Sequence, residues 1–390
     1  MRRGQILTPE GLAQCLASHL RAPTGSWLEL GSGSGRLVQA CLDAHAVDRY
    51  VGVELDHRLA AKMDVNERVE LHRVDVRKPD ALSAVLGSQR FDCVVGNPPF
   101  GIEKFSAQAQ ERFRAMYPQV QIIKDWARLD LYFMLESLTR LRRPGEAAFI
   151  VAAPIVQDAA LAPFRKTLVE VASEIECYEL PPKIFDNRAE VQCFLMVMRF
   201  GAKRGAKVTL GRFGGADFAV EQVREVRPLS AITRMDLAHH EFRDFHDALG
   251  RRSGFMTLAD MGAQIVRGSR TRREFQTLKI EHFHTTDFPQ AGGDVSFGQD
   301  ETSPFQTAEP GHILVPRVGS RCIDRAAIVA HGRRAYTEAV YRLSLPQRNR
   351  AGVFDWMVSE EGRSWRRRAA HGSCAQHLTV ASLMRMPVPG

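Results

Sequence analysis

The chain lacks any long apolar run, and this absence excludes a helix that spans a membrane. The most apolar stretch covers about ten of the 390 residues, around residues 147–156, and Pro154 interrupts it, whereas a bilayer needs about 20. The first ten residues, MRRGQILTPE, also lack the apolar core of a secretory signal. The sequence therefore predicts a cytoplasmic protein with no membrane partner.

Cysteine is scarce and follows no pattern. The seven cysteines are an odd number, are scattered along the chain, and include no Cys-x-x-Cys pair. Disulfide frameworks and zinc sites need cysteines at short, defined spacings. The pattern therefore favours reduced thiols and predicts no metal site.

Excess charge is missing from the first half of the chain. Residues 1–200 hold as many acidic as basic residues, so the whole net charge of +8 comes from residues 201–390. A basic half beside a neutral one suggests a module that binds a polyanion, joined to a domain with a different task. The alternative is a cationic surface that serves only solubility.

Strand and helix patterns alternate over the first 200 residues. SWLEL, YVGVEL, RVELHRVDV and FDCVVG are typical of strands, RLVQACLDAH is typical of a helix, and LDLYFMLESLTRLRRPGE predicts a helix before the strand AAFIVAAP. This order predicts an α/β fold with a parallel, doubly wound, Rossmann-like sheet, which binds ligands at the carboxyl ends of its strands. The pattern changes past residue 240 and predicts two domains, 1–240 and 241–390, the second of mixed α+β structure.

Two groups of polar residues follow the predicted strands. The run from Glu29 to Gly35 contains three alternating glycines, which let backbone approach a ligand closely. Glu54 ends the next strand, where an acidic side chain can accept hydrogen bonds from both hydroxyls of a ribose, and Asp75 ends the third strand, placed to read an adenine amino group. In the alternative interpretation Glu54 and Asp75 are helix N-caps.

The run GNPPFG, residues 96–101, is the least ordinary part of the sequence. Its two prolines fix two φ angles and remove two backbone donors, so the loop is stiff. It presents the Asn97 amide, the Pro98 carbonyl and the Phe100 ring. A tight turn with Phe100 in the core is the alternative.

The motifs LELGSGSG, VGVELD, VDV and GNPPFG, in this order, resemble those of N6-adenine DNA methyltransferases of the gamma arrangement over roughly residues 5–200. The resemblance implies transfer of a methyl group from S-adenosyl-L-methionine to N6 of an adenine flipped out of duplex DNA, without a metal. It implies that the cofactor contacts Thr8, Glu29, Gly31, Gly33, Glu54, Asp75 and Asn97, that Asn97, Pro98 and Phe100 are catalytic, and that Phe185 and Arg188 form the base pocket. From the residues alone, Phe185 fits a core position equally well.

Segments of the second half are similar to target recognition domains of restriction-modification specificity subunits. Arginines on its glycine-containing loops can contact phosphates or guanine edges, namely Arg267, Arg270, Arg272, Arg273, Arg317 and Arg321. The resemblance further implies the modification enzyme of a restriction-modification system, a monomer, with a cognate restriction endonuclease as a partner.

Three other functions fit parts of the pattern. A protein-glutamine methyltransferase also holds an amide nitrogen in an Asn-Pro-Pro-aromatic loop, but it resembles this chain less because only about 25 residues precede the glycine motif here. An RNA adenine methyltransferase would not need the C-terminal half. A nucleic-acid-binding protein with a decayed catalytic fold conflicts with the intact Asn97, Pro98, Phe100, Glu54 and Asp75.

Overall fold

The structure is a computed structural model that describes residues 6–21, 24–185, 192–201, 205–298, 304–370 and 376–390. The chain divides into two compact units, Met1–Leu237 and Ala238–Gly390. The functions assigned to the two predicted domains stay predictions.

The first unit contains eleven strands within the described residues. They are β1 (Ser26–Leu30), β2 (Arg49–Val53), β3 (Val69–His72), β4 (Phe91–Gly96), β5 (Ile102–Lys104), β6 (Trp126–Arg128), β7 (Leu141–Ala152), β8 (Glu174–Glu179), β9 (Cys193–Phe200), β10 (Lys207–Phe213) and β11 (Val220–Val226). Its helices are α1 (Glu10–Ser18), α2 (Arg36–Ala44), α3 (His57–Ala60), α4 (Pro79–Leu86), α5 (Ala107–Met116), α6 (Leu129–Thr139), α7 (Ala153–Gln157), α8 (Ala162–Val171) and α9 (Pro228–Thr233), with a 3₁₀ turn at Ala159–Leu161.

Nine of these strands form one sheet in the order β11-β10-β8-β9-β7-β4-β1-β2-β3. Strands β3, β2, β1, β4 and β7 are parallel neighbours, while β9 runs antiparallel between β7 and β8. The chain moves from β1 to β3 on one side of β1 and to β4 and β7 on the other. The crevice between the carboxyl ends of β1 and β4 is therefore the point where such sheets bind ligands.

Helices cover both faces of the sheet because successive strand residues point to opposite faces. In β1, Trp27 packs with Leu16 of α1 and Cys41 of α2, whereas Leu28 packs in the cluster on the other face with α4, α5, α6 and α8. The predicted doubly wound α/β sheet is confirmed.

One predicted helix is too long. The segment LDLYFMLESLTRLRRPGE is helical only up to Thr139, and β7 begins at Leu141, which pairs with Phe91 of β4. Pro144 disfavours helical backbone at the residue before it, and the open sheet edge of β4 offers Leu141 strand partners instead. The third strand is also shorter than predicted, since β3 ends at His72 and Asp75 lies in the turn that follows.

The second unit is a mixed α+β structure. Its helices are α10 (Leu237–Gly250, which begins at the last residue of the first unit), α11 (Arg272–Thr277), α12 (Gln347–Val358), α13 (Glu360–Ala369) and α14 (Val380–Met384). Its strands are β12 (Phe255–Thr257), β13 (Gln264–Arg267), β14 (His282–Phe283), β15 (Gly293–Ser296), β16 (Thr307–Ala308), β17 (Ile313–Pro316), β18 (Ala327–His331), β19 (Arg334–Tyr336), β20 (Val340–Ser344) and β21 (Pro387–Pro389). They form sheets of five, three and two strands.

Two further predictions concern the described part of the chain. None of its helices is long and apolar enough to cross a membrane. Its six cysteines are free and buried, and Cys374 lies outside the described residues.

Candidate active site

A cavity of about 320 Å³ lies at the carboxyl ends of the central strands of the first unit. The glycine loop after β1, the acidic residue after β2, the turn after β3 and the loop after β4 all contribute to its wall. Its lining includes Ile6, Leu7, Gly31, Gly33, Glu54, Asp75, Arg77, Asn97, Pro99, Glu103, Leu129 and Phe133. The sheet thus brings together most of the residues that the sequence predicts for a cofactor site.

The glycine loop presents backbone to this cavity. Gly31 and Gly33 have φ angles of 83° and 59°, in the left-handed region that glycine adopts without strain. The Gly31 amide donates to the Val53 carbonyl at 2.7 Å, which fixes the loop on β2. A side chain at Gly31 would begin only 3.3 Å from the Phe133 ring, so glycine keeps this wall open.

Glu54 is fixed by backbone donors on both carboxylate oxygens. Its Oε2 accepts from the Gly33 amide at 2.8 Å and its Oε1 from the Asp56 amide at 2.7 Å. Each oxygen keeps one further lone-pair direction, so the carboxylate can still accept two hydroxyl donors. The N-cap of α3 is Asp56 rather than Glu54, which rules out the N-cap interpretation of Glu54.

Asp75 lines the same cavity, and Arg77 holds its carboxylate. Arg77 donates from Nε to Oδ1 at 3.0 Å and from Nη2 to Oδ2 at 2.9 Å. Burial alone would raise the pKa of Asp75, but the hydrogen bonds and the charge of Arg77 outweigh it and lower that pKa below its usual value. The N-cap of α4 is Lys78, so Asp75 is not a helix cap.

Glu29 does not line the cavity. Its buried carboxyl accepts a hydrogen bond from the Tyr50 hydroxyl at 2.8 Å, beneath the glycine loop. Burial raises the pKa of Glu29 to about 8, against the lowering effect of the Tyr50 hydrogen bond, and the charge of Glu54 raises it further. The structure therefore places Glu29 in the interior next to Tyr50, and its predicted contact with the cofactor stays a prediction.

The Asn97 side chain has a fixed orientation and one unused acceptor. Its Nδ2 donates to Thr8 Oγ1 at 3.0 Å and to the Ile6 carbonyl at 3.2 Å. A carbonyl only accepts, so the amide nitrogen must face Ile6 and the amide oxygen must face away. That oxygen, Oδ1, is buried and has no hydrogen-bond partner among the described residues.

The segment around Thr8, which contacts Asn97, is fixed by its own hydrogen bonds. Arg36 of α2 donates from Nη1 to the Thr8 carbonyl at 2.8 Å, and Pro9 is the N-cap of α1. Thr8 is buried and contacts Asn97 directly. The predicted cofactor residue Thr8 therefore positions a predicted catalytic residue.

Two aromatic rings meet beside the loop after β4. The centroids of Phe100 and Phe185 lie 6.2 Å apart, with the ring planes at 77°. Both rings are partly buried against the core of the same sheet face. Pro98 is buried between Asn97 and the cavity-lining Pro99. Arg188 lies outside the described residues.

Contacts within the protein divide the predicted arginines of the second unit. Arg267 forms an ion pair with the Glu338 carboxylate, Arg317 donates from Nε to the Glu338 carbonyl at 2.8 Å, and Arg270 pairs with Glu274 at 3.0 Å. Arg272, Arg273 and Arg321 are exposed and have no ion pair within the part of the chain that the structure describes. These three are therefore the cations best able to meet an external anion.

The structure adds residues that the sequence motifs do not indicate. Arg77, Glu103, Leu129 and Phe133 line the cavity, although none belongs to a predicted site. Arg77 follows Asp75 by two residues in a turn, a spacing that allows their side chains to pair. The other three come from later elements, β5 and α6, and only the fold brings them to the cavity.

This chain is similar to known DNA methyltransferases. Residues 1–230 match the family described as N-6 DNA Methylase. Over 173 residues the chain is 25% identical to the Modification methylase CviBIII of Paramecium bursaria Chlorella virus NC1A, a match that covers 43% of this chain and 42% of that protein.

The chain is also similar to solved structures. The chain is similar over its full length to 59% of the type IIG restriction endonuclease BpuSI, with a TM-score of 0.54 and 12% identity. A type I restriction-modification methyltransferase subunit from Streptococcus thermophilus is similar over 60% of this chain and 52% of its own, with a TM-score of 0.45 and 18% identity. The chain thus spans about half the length of the relatives that it matches.

Proposed function

The chain belongs to the N-6 DNA methylase family, and we propose that it transfers a methyl group from S-adenosyl-L-methionine to N6 of an adenine flipped out of duplex DNA. We further propose that it modifies a specific site within a restriction-modification system. The similar Modification methylase and the fold shared with a type IIG restriction endonuclease support this proposal.

The unused Asn97 oxygen is the observation that carries the proposal. A buried acceptor without a partner costs free energy, on the order of 1–3 kcal/mol, and here the Thr8 and Ile6 contacts hold it in that state. An adenine amino group is a donor that would satisfy this oxygen. The cost of leaving the acceptor open is then offset when the substrate binds.

The cavity fits the proposed cofactor. The Glu54 carboxylate would accept the ribose hydroxyls, the absence of side chains at Gly31 and Gly33 would let the cofactor approach the backbone closely, and the Asp75 carboxylate would meet the adenine end. S-adenosyl-L-methionine would supply a methyl group on a sulfonium, whose neutral thioether is a good leaving group. The residues of the chain then have to bind, orient and exclude water.

Asn97 and Pro98 would activate the nucleophile. The lone pair of an adenine amine is delocalised into the ring, so the amine is a poor nucleophile. If Asn97 Oδ1 and the Pro98 carbonyl accepted hydrogen bonds from its two N–H groups, the lone pair would be localised on nitrogen and aimed at the methyl carbon. The two acceptors would hold the nitrogen towards the methyl group that the cofactor would supply, and the methylated amine would release its extra proton to water. The two prolines fix this geometry before the substrate arrives.

Phe100 and Phe185 would receive the flipped base. Stacking on an aromatic ring is worth about 1–3 kcal/mol per base. The two rings now contact each other edge to face at 6.2 Å, so a base could enter between them only if they separate. Phe100 sits on the stiff loop, and Phe185 is therefore the ring that we expect to move.

The second unit would bind the duplex around the target. Its exposed Arg272, Arg273 and Arg321 suit phosphate contacts, which position a protein on DNA. Residues 238–390 hold 21 basic and 16 acidic residues, and this excess of +5 supports the role.

Product identification tests the proposal. We expect labelled methyl groups from S-adenosyl-L-methionine to appear as N6-methyladenine in digested, previously unmethylated duplex DNA, and not in RNA or protein offered in parallel. Mass spectrometry of the nucleosides gives the site of methylation, and sequencing of methylated bases in an expressing host gives the recognition sequence. Methyl groups on cytosine, RNA or protein glutamine, with none on DNA adenine, would overturn it.

A further inference from the structure

A cluster of exposed apolar side chains lies directly beside the loop that follows β4, residues 97–101, which we call the catalytic loop. Ile102, Ile123 and Trp126 are 58%, 68% and 48% exposed, and Lys124 stands between the last two. We call these four residues the tip. They border a groove of about 440 Å³ that is separate from the cofactor cavity. The catalytic mechanism proposed above uses none of them.

The tip is rigidly built. The Ile123 and Trp126 backbones exchange hydrogen bonds of 3.0 and 2.9 Å, which closes a two-residue turn over Lys124 and Asp125. Both turn residues have positive φ angles, 49° and 69°, a conformation in which glycine or asparagine is usual. Backbone held in this conformation without glycine is strained, and such strain persists only where the surroundings enforce it.

Side chains that contact the turn hold Lys124 and Asp125 in this backbone conformation. Asp125 accepts from Gln110 at 3.1 Å, and the Lys104 ammonium lies 4.0 Å from it. The Phe105 amide donates to the Asp125 carbonyl at 2.8 Å, and the Phe105 ring packs edge to face on Tyr132 with centroids 5.2 Å apart, which anchors the turn in the core. The negative charge of Asp125 is thus compensated, whereas Lys124 has no ion-pair partner among the described residues.

The tip is tied to the residues that would hold the target base. Ile102 directly follows Gly101 of the catalytic loop, and the Leu129 amide donates to the Gly101 carbonyl at 2.9 Å. The strand from Trp126 to Arg128 is three residues long, so the turn lies about 10 Å from that loop at 3.3 Å per residue. A flipped adenine stays attached to its strand, so the neighbouring base pair lies only one nucleotide away.

Duplex DNA matches this surface better than a second protein does. Three partly exposed apolar side chains cover far less than the roughly 800 Å² per partner that a stable protein interface needs. Proteins that distort DNA insert small apolar wedges between base steps, with cations on the adjacent phosphates. The tip combines one aromatic ring, two isoleucines and an uncompensated lysine.

We propose that the tip packs against the base pair next to the flipped adenine and stabilises the flipped state, with Lys124 on a neighbouring phosphate. This inference rests on the proposed function. Flipping costs a few kcal/mol of unstacking, and a wedge that occupies the vacated stack would reduce this cost.

Tryptophan fluorescence tests the contact directly. Trp126 is 48% exposed, while Trp27, Trp356 and Trp365 are at most 8% exposed. Acrylamide should therefore quench mainly Trp126 in the free protein, and sheared unmethylated genomic DNA should protect it. Unchanged quenching in the presence of saturating DNA would contradict the proposal. Protection that rises with protein concentration in the absence of DNA would instead show that a second copy covers the tip, and would also overturn it.

Kinetics test the wedge. We expect Trp126→Ala to raise KM for duplex DNA about tenfold, as loss of one stacking contact implies, and Trp126→Phe to recover most of the effect. A mismatch opposite the target adenine should rescue Trp126→Ala, because unstacking is then cheaper. Lys124→Glu should raise the same KM. The KM for S-adenosyl-L-methionine and the rate on single-stranded DNA should not change.

Leu229→Ala provides the matched control, since Leu229 is 80% exposed but lies on α9, away from the catalytic loop in sequence. If Trp126→Ala impairs single-stranded and duplex DNA equally, or leaves the duplex KM unchanged, the wedge proposal is wrong. If the wild-type protein methylates no DNA adenine at all, the proposed function fails instead, and the two failures are distinguishable.

Discussion

The cavity of the first unit and the arginine loops of the second present polar groups in opposite ways. In the cavity, backbone amides fix both oxygens of Glu54, and Thr8 and Ile6 fix the Asn97 amide. On the second unit, Arg272 and Arg273 are exposed side chains at the start of α11 with no ion pair in the part of the chain that the structure describes.

The difference teaches where each kind of site gets its free energy. Groups that are already fixed lose little entropy on binding and act on one atom of the ligand, as a chemical step requires. A free arginine loses up to about 2 kcal/mol of rotamer entropy when it is fixed, but it can follow a phosphate backbone whose position varies. The first arrangement suits catalysis and the second suits DNA binding that tolerates many sequences.

Loss of the Asn97 oxygen should give the largest effect. Asn97→Ala removes the acceptor that localises the amine lone pair, so kcat should fall by about 10²–10³, as for loss of one preorganised hydrogen bond elsewhere. Affinity for S-adenosyl-L-methionine, measured by calorimetry, should hardly change. A near-normal kcat would break the claim that the cavity is preorganised for chemistry.

Loss of the Glu54 carboxylate should affect binding rather than chemistry. Glu54→Ala should weaken S-adenosyl-L-methionine binding by about 1.5–3 kcal/mol, the range for a hydrogen bond with a charged group. Glu54→Gln is the matched control, because it keeps one acceptor but cannot accept both backbone amides and both hydroxyls. Unchanged affinity of Glu54→Ala in calorimetry would remove Glu54 from the proposed site.

The positions of several cavity residues could be predicted from the sequence. The glycine loop, Glu54 and GNPPFG each follow a strand within a few residues, so local pattern and the rule for parallel sheets place them together. Glu29 lies near the end of β1, but its side chain meets Tyr50 and does not line the cavity. A motif identifies a strand end and does not show which side chains reach the ligand.

Local sequence patterns do not predict contacts between residues that are far apart in the sequence. Glu338 approaches both Arg267 and Arg317 from more than 20 residues away in each case. No local pattern distinguishes these engaged arginines from the exposed Arg272 and Arg321. For the same physical reason, the sequence predicts the position of the Phe100 ring on its loop but not its contact with Phe185.

The free and engaged arginines of the second unit should behave differently. Arg272→Ala, Arg273→Ala and Arg321→Ala should each weaken DNA binding a few-fold and lower the slope of log K against log salt by about 0.9. Arg267→Ala should leave that slope unchanged, and it should cost at most about 1 kcal/mol of stability, since its ion pair is exposed. Fluorescence anisotropy over a salt series makes the comparison. Equal slopes for all four variants would show that ion pairing does not sort these arginines.

Substitution of Arg77 should have the smallest effect on cofactor binding. Its guanidinium holds the Asp75 carboxylate through a charged side-chain contact. Arg77 lowers the pKa of Asp75 against the opposing effect of burial, so Asp75 stays ionised, and able to accept from an adenine amino group, as the pH falls below its usual pKa of about 3.9. Arg77→Ala loses the side-chain hydrogen bonds and the charge of Arg77 but keeps the backbone hydrogen bond of residue 77 and the charge of Lys78, so the pKa of Asp75 should rise from its wild-type value. Affinity for S-adenosyl-L-methionine should then be nearly unchanged at pH 7 but should fall towards pH 4.5, where the wild-type affinity is still constant.

Calorimetry from pH 4.5 to 7 measures this affinity. Lys78→Ala is the control, because Lys78 is the next cation in the chain and has a weaker influence on the pKa of Asp75. Parallel pH profiles for wild type and Arg77→Ala would mean that Asp75 does not bind the cofactor through its charge.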